Sequence, residues 1–100
     1  MAYEPDPFKV ASVRGFVNRA FPPPEHEVHD AYGFKRETLM FRIRRGGSLV
    51  HIFGVSREYL DDHTPSEIEM ALDEVTAERI KSNGPDRISM LANDGPRETR

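Results

Sequence analysis

The 100 residues carry 14 Lys and Arg against 17 Asp and Glu, a formal charge of −3, with 37% hydrophobic and 31% charged residues, which describes one compact soluble domain and excludes a second. With no Cys, disulfide staples, thiolate nucleophiles, CxxC redox chemistry and Cys-containing zinc sites are excluded together. Six Phe and three Tyr supply the material of a small core, and a chain of this size buries well over half its unfolded surface.

The stretch from Met1 to Lys9 has acids and prolines where a secretory signal has a basic and then an apolar region. No apolar run approaches the ~18 residues of a membrane span. The expectation is a cytoplasmic, bacterial-type protein without a membrane partner. From Phe8 to Phe21, Val10, Val13, Val17 and Phe21 fall on one helical stripe, and Gly15 weakens the helix by about 1 kcal/mol relative to Ala. Pro22, Pro23 and Pro24 end it. Residues 1–24 therefore read as an N-terminal helical arm and Pro-rich linker, which docks on the domain or serves a partner.

A β-hairpin is expected over about 37–56. Leu39, Phe41 and Ile43 alternate on one face, and Gly46-Gly47 supplies the two positive-φ residues of a tight turn. Pairing Arg45 with Ser48 sets Ile43 opposite Val50, Phe41 opposite Ile52 and Leu39 opposite Gly54, an apolar core face. The other face then pairs Arg44 with Leu49, Arg42 with His51 and Met40 with Phe53. That face is half basic and half apolar, the composition of a surface that is covered by another element or used for interaction.

Ser56 is the expected N-cap of a short helical turn from Arg57 to about His63. Thr64-Pro65-Ser66-Glu67 spells a capping box, starting a helix over about 65–82 with Ile68, Ala71, Leu72 and Val75 on its buried stripe and Met70 and Ile80 off it. Asn83-Gly84-Pro85 stops it. Arg87 to Leu91 has the length of a further strand, and the polar tail is expected to fray. The organisation is an arm (1–24), a single compact α+β domain (25–95) and a frayed tail (96–100), with a small antiparallel sheet on the hairpin packed against the capped helix.

Charge is distributed unevenly. Residues 35–57 sum to +5, from Lys35, Arg36, Arg42, Arg44, Arg45 and Arg57 against one acid, while residues 58–80 sum to −7. A dipolar molecule follows, whose blocks either neutralise each other or offer a basic surface to an acidic partner or polyanion.

The order of elements between Tyr32 and Gly95 resembles the small bacterial family known as domain of unknown function 1488. The residues that carry the likeness are Tyr32 and Phe34, the strand Leu39-Met40-Phe41-Arg42, the turn glycines, and His51 to Ser56 leading into Arg57-Glu58-Tyr59-Leu60. An acidic helix from Glu67 to Ile80 and a closing segment from Asp86 to Asp94 complete it. The resemblance implies a compact α+β domain and carries no reaction or cofactor. The arm is additional to it, and the helix is shorter and lacks mid-helix aromatic and Arg residues.

Catalytic signatures are missing. In Glu25-His26-Glu27-Val28-His29-Asp30 the histidines are three apart, whereas a zinc protease helix needs them four apart; in an extended segment the two point apart. His51 has no Ser, Asp or Glu placed by spacing to complete a triad. Asp61-Asp62-His63 lacks calcium-loop spacing, and neither phosphate-loop pattern surrounds Gly46-Gly47. No catalytic residue, metal ligand, cofactor or small-molecule substrate is assigned. The reading is a non-enzymatic protein-interaction or regulatory adaptor that binds a protein partner or itself, as a dimer, through Met40, Arg42, Arg44, Leu49, His51 and Phe53. One alternative is a nucleic-acid-binding regulator using the basic hairpin as a ribbon, against which the pI near 5.8 weighs. A second, a small metal-dependent hydrolase, rests on the 25–30 window alone.

Overall fold

The computed structural model describes residues 3–33 and 35–99, excluding the side chains of 97–99. Helix α1 (Pro7–Ala20) begins where Asp6 accepts a hydrogen bond from the Phe8 N–H at 2.8 Å and Pro7 supplies a preset first turn. Its stripe of Val13, Phe16 and Val17, continued by Phe21, is buried. The arm thus docks on the domain and forms part of its core.

Three antiparallel strands follow, β1 (His26–Gly33), β2 (Thr38–Arg45) and β3 (Ser48–Ser56). Helices α2 (Arg57–Asp62), α3 (Pro65–Ala71) and α4 (Glu74–Ser82) cross to β4 (Ile88–Ala92), which pairs parallel to β3, and β5 (Gly95–Thr99) returns antiparallel to β4. The sheet is mixed and its strands lie in sequence order. The fold is α+β. Its main core joins Val13, Phe16, Val17 and Phe21 of α1 to Leu39, Phe41, Ile43, Phe53 and Val55 of the sheet and to Leu60, Ile68 and Ile80 of the crossover helices. No helix among the described residues is long and apolar enough to cross a membrane.

The hairpin departs from its expected register. Gly46 and Gly47 have φ of 58° and 82°, as the turn requires, and Arg45 pairs with Ser48 and Arg44 with Leu49. Between Ile43 and Arg44 the register then shifts, so that Ile43 pairs with His51, Arg42 with Ile52, Phe41 with Phe53, Met40 with Gly54 and Leu39 with Val55. A bulge adds one residue to β3 and reverses the facing of everything beyond it. Phe53 and Val55, not Ile52 and Gly54, enter the core. Burial of large apolar side chains decides this, since each is worth ~1.5–3 kcal/mol, and the regular register would leave Phe53 outside beside arginines.

The helix expected over 65–82 is two helices. Thr64 and Glu67 form the capping box as expected, with Thr64 Oγ1 accepting from the Glu67 N–H at 3.2 Å and Glu67 Oε1 accepting from the Thr64 N–H at 2.8 Å. At Leu72 and Asp73 the backbone leaves the helix, and Asp73 caps α4 by accepting from the Thr76 N–H at 3.1 Å. The break rotates the buried stripe. Val75, expected inside, is 68% exposed, and Ile80, expected off the stripe, is 1% exposed.

Two segments gain structure beyond expectation. The 26–33 segment is a full strand, and residues 95–99 of the tail expected to fray form the edge strand β5. Phe53→Ala is expected to destabilise the fold by about 3–5 kcal/mol in chemical denaturation, and Ile52→Ala by clearly less. Equal losses would contradict the bulged register.

Candidate functional site

The strand residues of opposite facing form the sheet surface away from the helices. At the turn end, Arg42 is exposed and Arg44 and Leu49 are half-buried; Glu27 lies beside Arg44 and His29 beside Arg42 across the β1–β2 ladder. Further along, Met40, Ile88 and Met90 form a second small cluster with Ile52. Gly54 makes that cluster close. A Cβ there would stand 2.7 Å from Met90 Sδ, 2.9 Å from Thr38 Cγ2 and 3.2 Å from Met40 Sδ. The methionine thioethers therefore fill the space a side chain would take.

The six residues read from the sequence as one surface are divided by the bulge. Met40, Arg42, Arg44 and Leu49 share the outer face. His51 and Phe53 point to the helix side instead. The His51 ring lies 5.2 Å from the Phe21 ring, and its Nδ1 is 2.8 Å from the Asn83 carbonyl oxygen, to which the Nδ1–H tautomer donates. Phe53 sits 6.0 Å from Phe16 and 6.4 Å from Phe41. Ile52 takes their place on the outer face. The available signal for it was the pairing energy of Phe41 with Phe53, which the alternative register secures.

Charge at the turn end of the sheet is not neutralised among the described residues. Arg42, Arg44 and Arg45 make no ion pair among the described residues, and neither do the exposed Glu58, Glu69, Glu74 and Glu78 of the helices. The ion pairs lie elsewhere: Arg14 with Asp30 at 2.9 Å, and Arg57 with Glu37 at 3.8 Å and Asp61 at 3.6 Å.

In the 25–30 window the strand separates the histidines. His26 packs on the helix side, its ring 5.3 Å from Phe21 and its buried Nδ1 without a partner among the described residues. His29 projects outward, 3.3 Å from Glu27 Oε1. Opposite sides of a sheet cannot deliver both rings to one ion. Among the described residues no group of three or more His, Asp or Glu gathers as a metal site.

The most connected polar cluster lies at the other end of the sheet. Tyr3 donates to Asp61 Oδ1 at 2.8 Å, the Arg57 guanidinium stacks 4.0 Å from the Tyr3 ring, and Tyr3 and Tyr32 pack with ring centres 5.0 Å apart. Lys9 Nζ donates to the Leu60 carbonyl at 2.6 Å. These contacts fasten Tyr3 and the first turn of α1 to α2 and β1. Burial, together with the hydrogen bond to Asp61 and its negative charge, pushes the Tyr3 hydroxyl up to about 12. Nearby, a shallow concavity of about 410 Å³ at the carboxyl ends of the parallel strands β3 and β4 is lined by Arg36, Glu37, Arg57, Glu58 and Asp94. Its charges are mixed, and Arg57 is already held by two carboxylates.

Fold and surface define a two-layer α+β protein, with helices over one sheet face and an open, basic turn end on the other. No protein-family model, curated protein or solved structure matches the chain.

Spectrophotometric titration is expected to show one tyrosine ionising near 12, lost in Tyr3→Phe. An unfolded tyrosine ionises near ~10, so the contact's contribution to stability is complete below that value and is lost as pH rises towards the folded value. An unchanged titration in Tyr3→Phe would remove the assignment.

Proposed function

We propose that the chain is a non-enzymatic protein-interaction module, taking an acidic segment of another protein on the outer face of the β2–β3 hairpin. The observation that carries this reading is the unpaired state of Arg42 and Arg44 among the described residues. A guanidinium presents five donors in a rigid fork suited to carboxylates. Each exposed ion pair contributes only about 0.2–1 kcal/mol, so specificity needs several together with apolar contact. Leu49, half-buried next to Arg44, supplies that contact. His51 and Phe53 support the face from behind and are not part of its surface.

Nucleic acid is the rival ligand for the same arginines. Glu27 beside Arg44 and the −7 charge of residues 58–80 repel a long, uniformly charged polyanion more than a short acidic segment with apolar neighbours, which favours the protein reading. The likeness of residues 32–95 to domain of unknown function 1488 belongs with this proposal and adds a scaffold without a reaction.

Arg42→Glu with Arg44→Glu is expected to abolish capture of a protein partner from lysate while moving the melting temperature by no more than a few degrees, since both are surface sites. Retention after nuclease treatment and at raised salt supports a protein partner. Recovery of nucleic acid that disappears at raised salt would replace it with the nucleic-acid reading.

A further inference from the structure

The two edges of the sheet are built differently. Strand β5 is five residues long and contains Gly95 and Pro96, and proline on an edge removes a donor that another strand would need. Strand β1 is eight residues long, pairs along its whole length with β2, and contains no proline. Among the described residues, its only backbone hydrogen bond outside the sheet runs from the His26 N–H to the Pro22 carbonyl at 3.3 Å. The rest of its outer edge offers donors and acceptors at strand spacing.

The side chains of β1 carry a pattern that is complementary to itself. Reading His26-Glu27-Val28-His29-Asp30 against its own reverse sets His26 opposite Asp30, Glu27 opposite His29 and Val28 opposite Val28. In a continuous sheet generated by a two-fold axis, residues facing each other lie on the same side, so the axis must pass through a residue. Centring it on Glu27, His29 or Asp30 places like groups face to face. Centring it on Val28 alone makes every polar pair an imidazole against a carboxylate. We infer that β1 is a self-association edge, at which two copies pair antiparallel about Val28 into one ten-stranded sheet.

The pairs are chemically sound at neutral pH. A neutral imidazole donates one N–H to a carboxylate, and a protonated one adds charge. Glu27 and His29, 3.3 Å apart within the strand, have side chains 67% and 63% exposed, so each can exchange that contact for the facing residue of the partner without disturbing the core. His26, whose Nδ1 has no partner among the described residues, gains a carboxylate as its neighbour in the partner's Asp30. Asp30 itself is held in place by Arg14. The inference does not rest on the hairpin reading, although Glu27 and His29 flank Arg44 and Arg42.

Sedimentation over a range of protein concentrations tests it. The wild-type chain is expected to dimerise, and Glu27→Lys and His29→Glu are each expected to weaken the dimer by at least ~10-fold, because the first removes the carboxylate that faces each imidazole and the second sets carboxylate against carboxylate, each twice across the axis. Combining the two restores opposite pairs, and the E27K/H29E chain is expected to return to within ~3-fold of wild type, the signature of direct coupling. Circular dichroism checks that each variant keeps its fold. A monomer at every concentration overturns the inference. So does a dimer that both single variants leave intact, or one that the swap fails to rescue. If Leu49→Ala dissolves the dimer and Glu27→Lys does not, the contact belongs to the hairpin.

Discussion

The bulge opposite Ile43 resolves two demands on β3 that a regular hairpin cannot meet together. The Gly46-Gly47 turn requires Arg45 to face Ser48 and Arg44 to face Leu49. The helix side of the sheet needs Phe53 and Val55, which lie on the same alternation as His51 and would face outward if pairing continued without interruption. One additional residue in β3 satisfies both. Val50 and His51 then share the helix side, and Val50 packs against the core. From that point the sheet has a helix-covered aromatic face and an outer face whose buried apolar cluster, among the described residues, is made by Ile52, Met40, Met90 and Ile88 around Gly54.

Much else depends on this choice. Phe53 provides the surface on which Phe16 of α1 rests, so the N-terminal helix is docked by the same event that sets the strand register. His51, once turned inward, reaches the Asn83 carbonyl at the end of α4 and ties the crossover back to the sheet. The Asn83 side chain in turn donates to Ser89 Oγ at 2.9 Å, at the start of β4. A single residue of slippage in β3 would separate the Phe53–Phe16 and His51–Asn83 contacts at once, which is why the register is strongly specified.

Charge follows a different logic from packing. The arginines of β2 and the acids of the crossover helices lie in one small chain without neutralising one another among the described residues. Exposed charges in water lose little by standing alone, so folding does not compel them to pair. Their arrangement is then available for recognition. The outer face offers guanidinium forks next to Leu49, and the free edge of β1 offers an ordered backbone with alternating imidazole and carboxylate. Both are surfaces that the fold holds rigid and leaves open.

Local chemistry is the part that the sequence determined by itself. Ser56 and Thr64 with Glu67 act as caps because a side-chain oxygen placed just ahead of a helical turn meets an unsatisfied N–H whatever the rest of the chain does. The Gly46-Gly47 turn and the strand character of 38–45 are equally local. The α+β class and the outward facing of Met40, Arg42, Arg44 and Leu49 follow from those elements, but Met40 is buried there against Ile88 and Met90 and is not surface. The tertiary structure decided which side of β3 faced inward, where the long helix broke at Leu72-Asp73, and that residues 26–33 and 95–99 became edge strands. Those outcomes depend on competition between distant apolar groups, Phe53 for Phe16 and Phe41, and Ile80 over Val75, or on backbone pairing with a neighbour remote in sequence. Alternation and spacing cannot weigh such contacts, because their energy exists only once the helices are seated on the sheet.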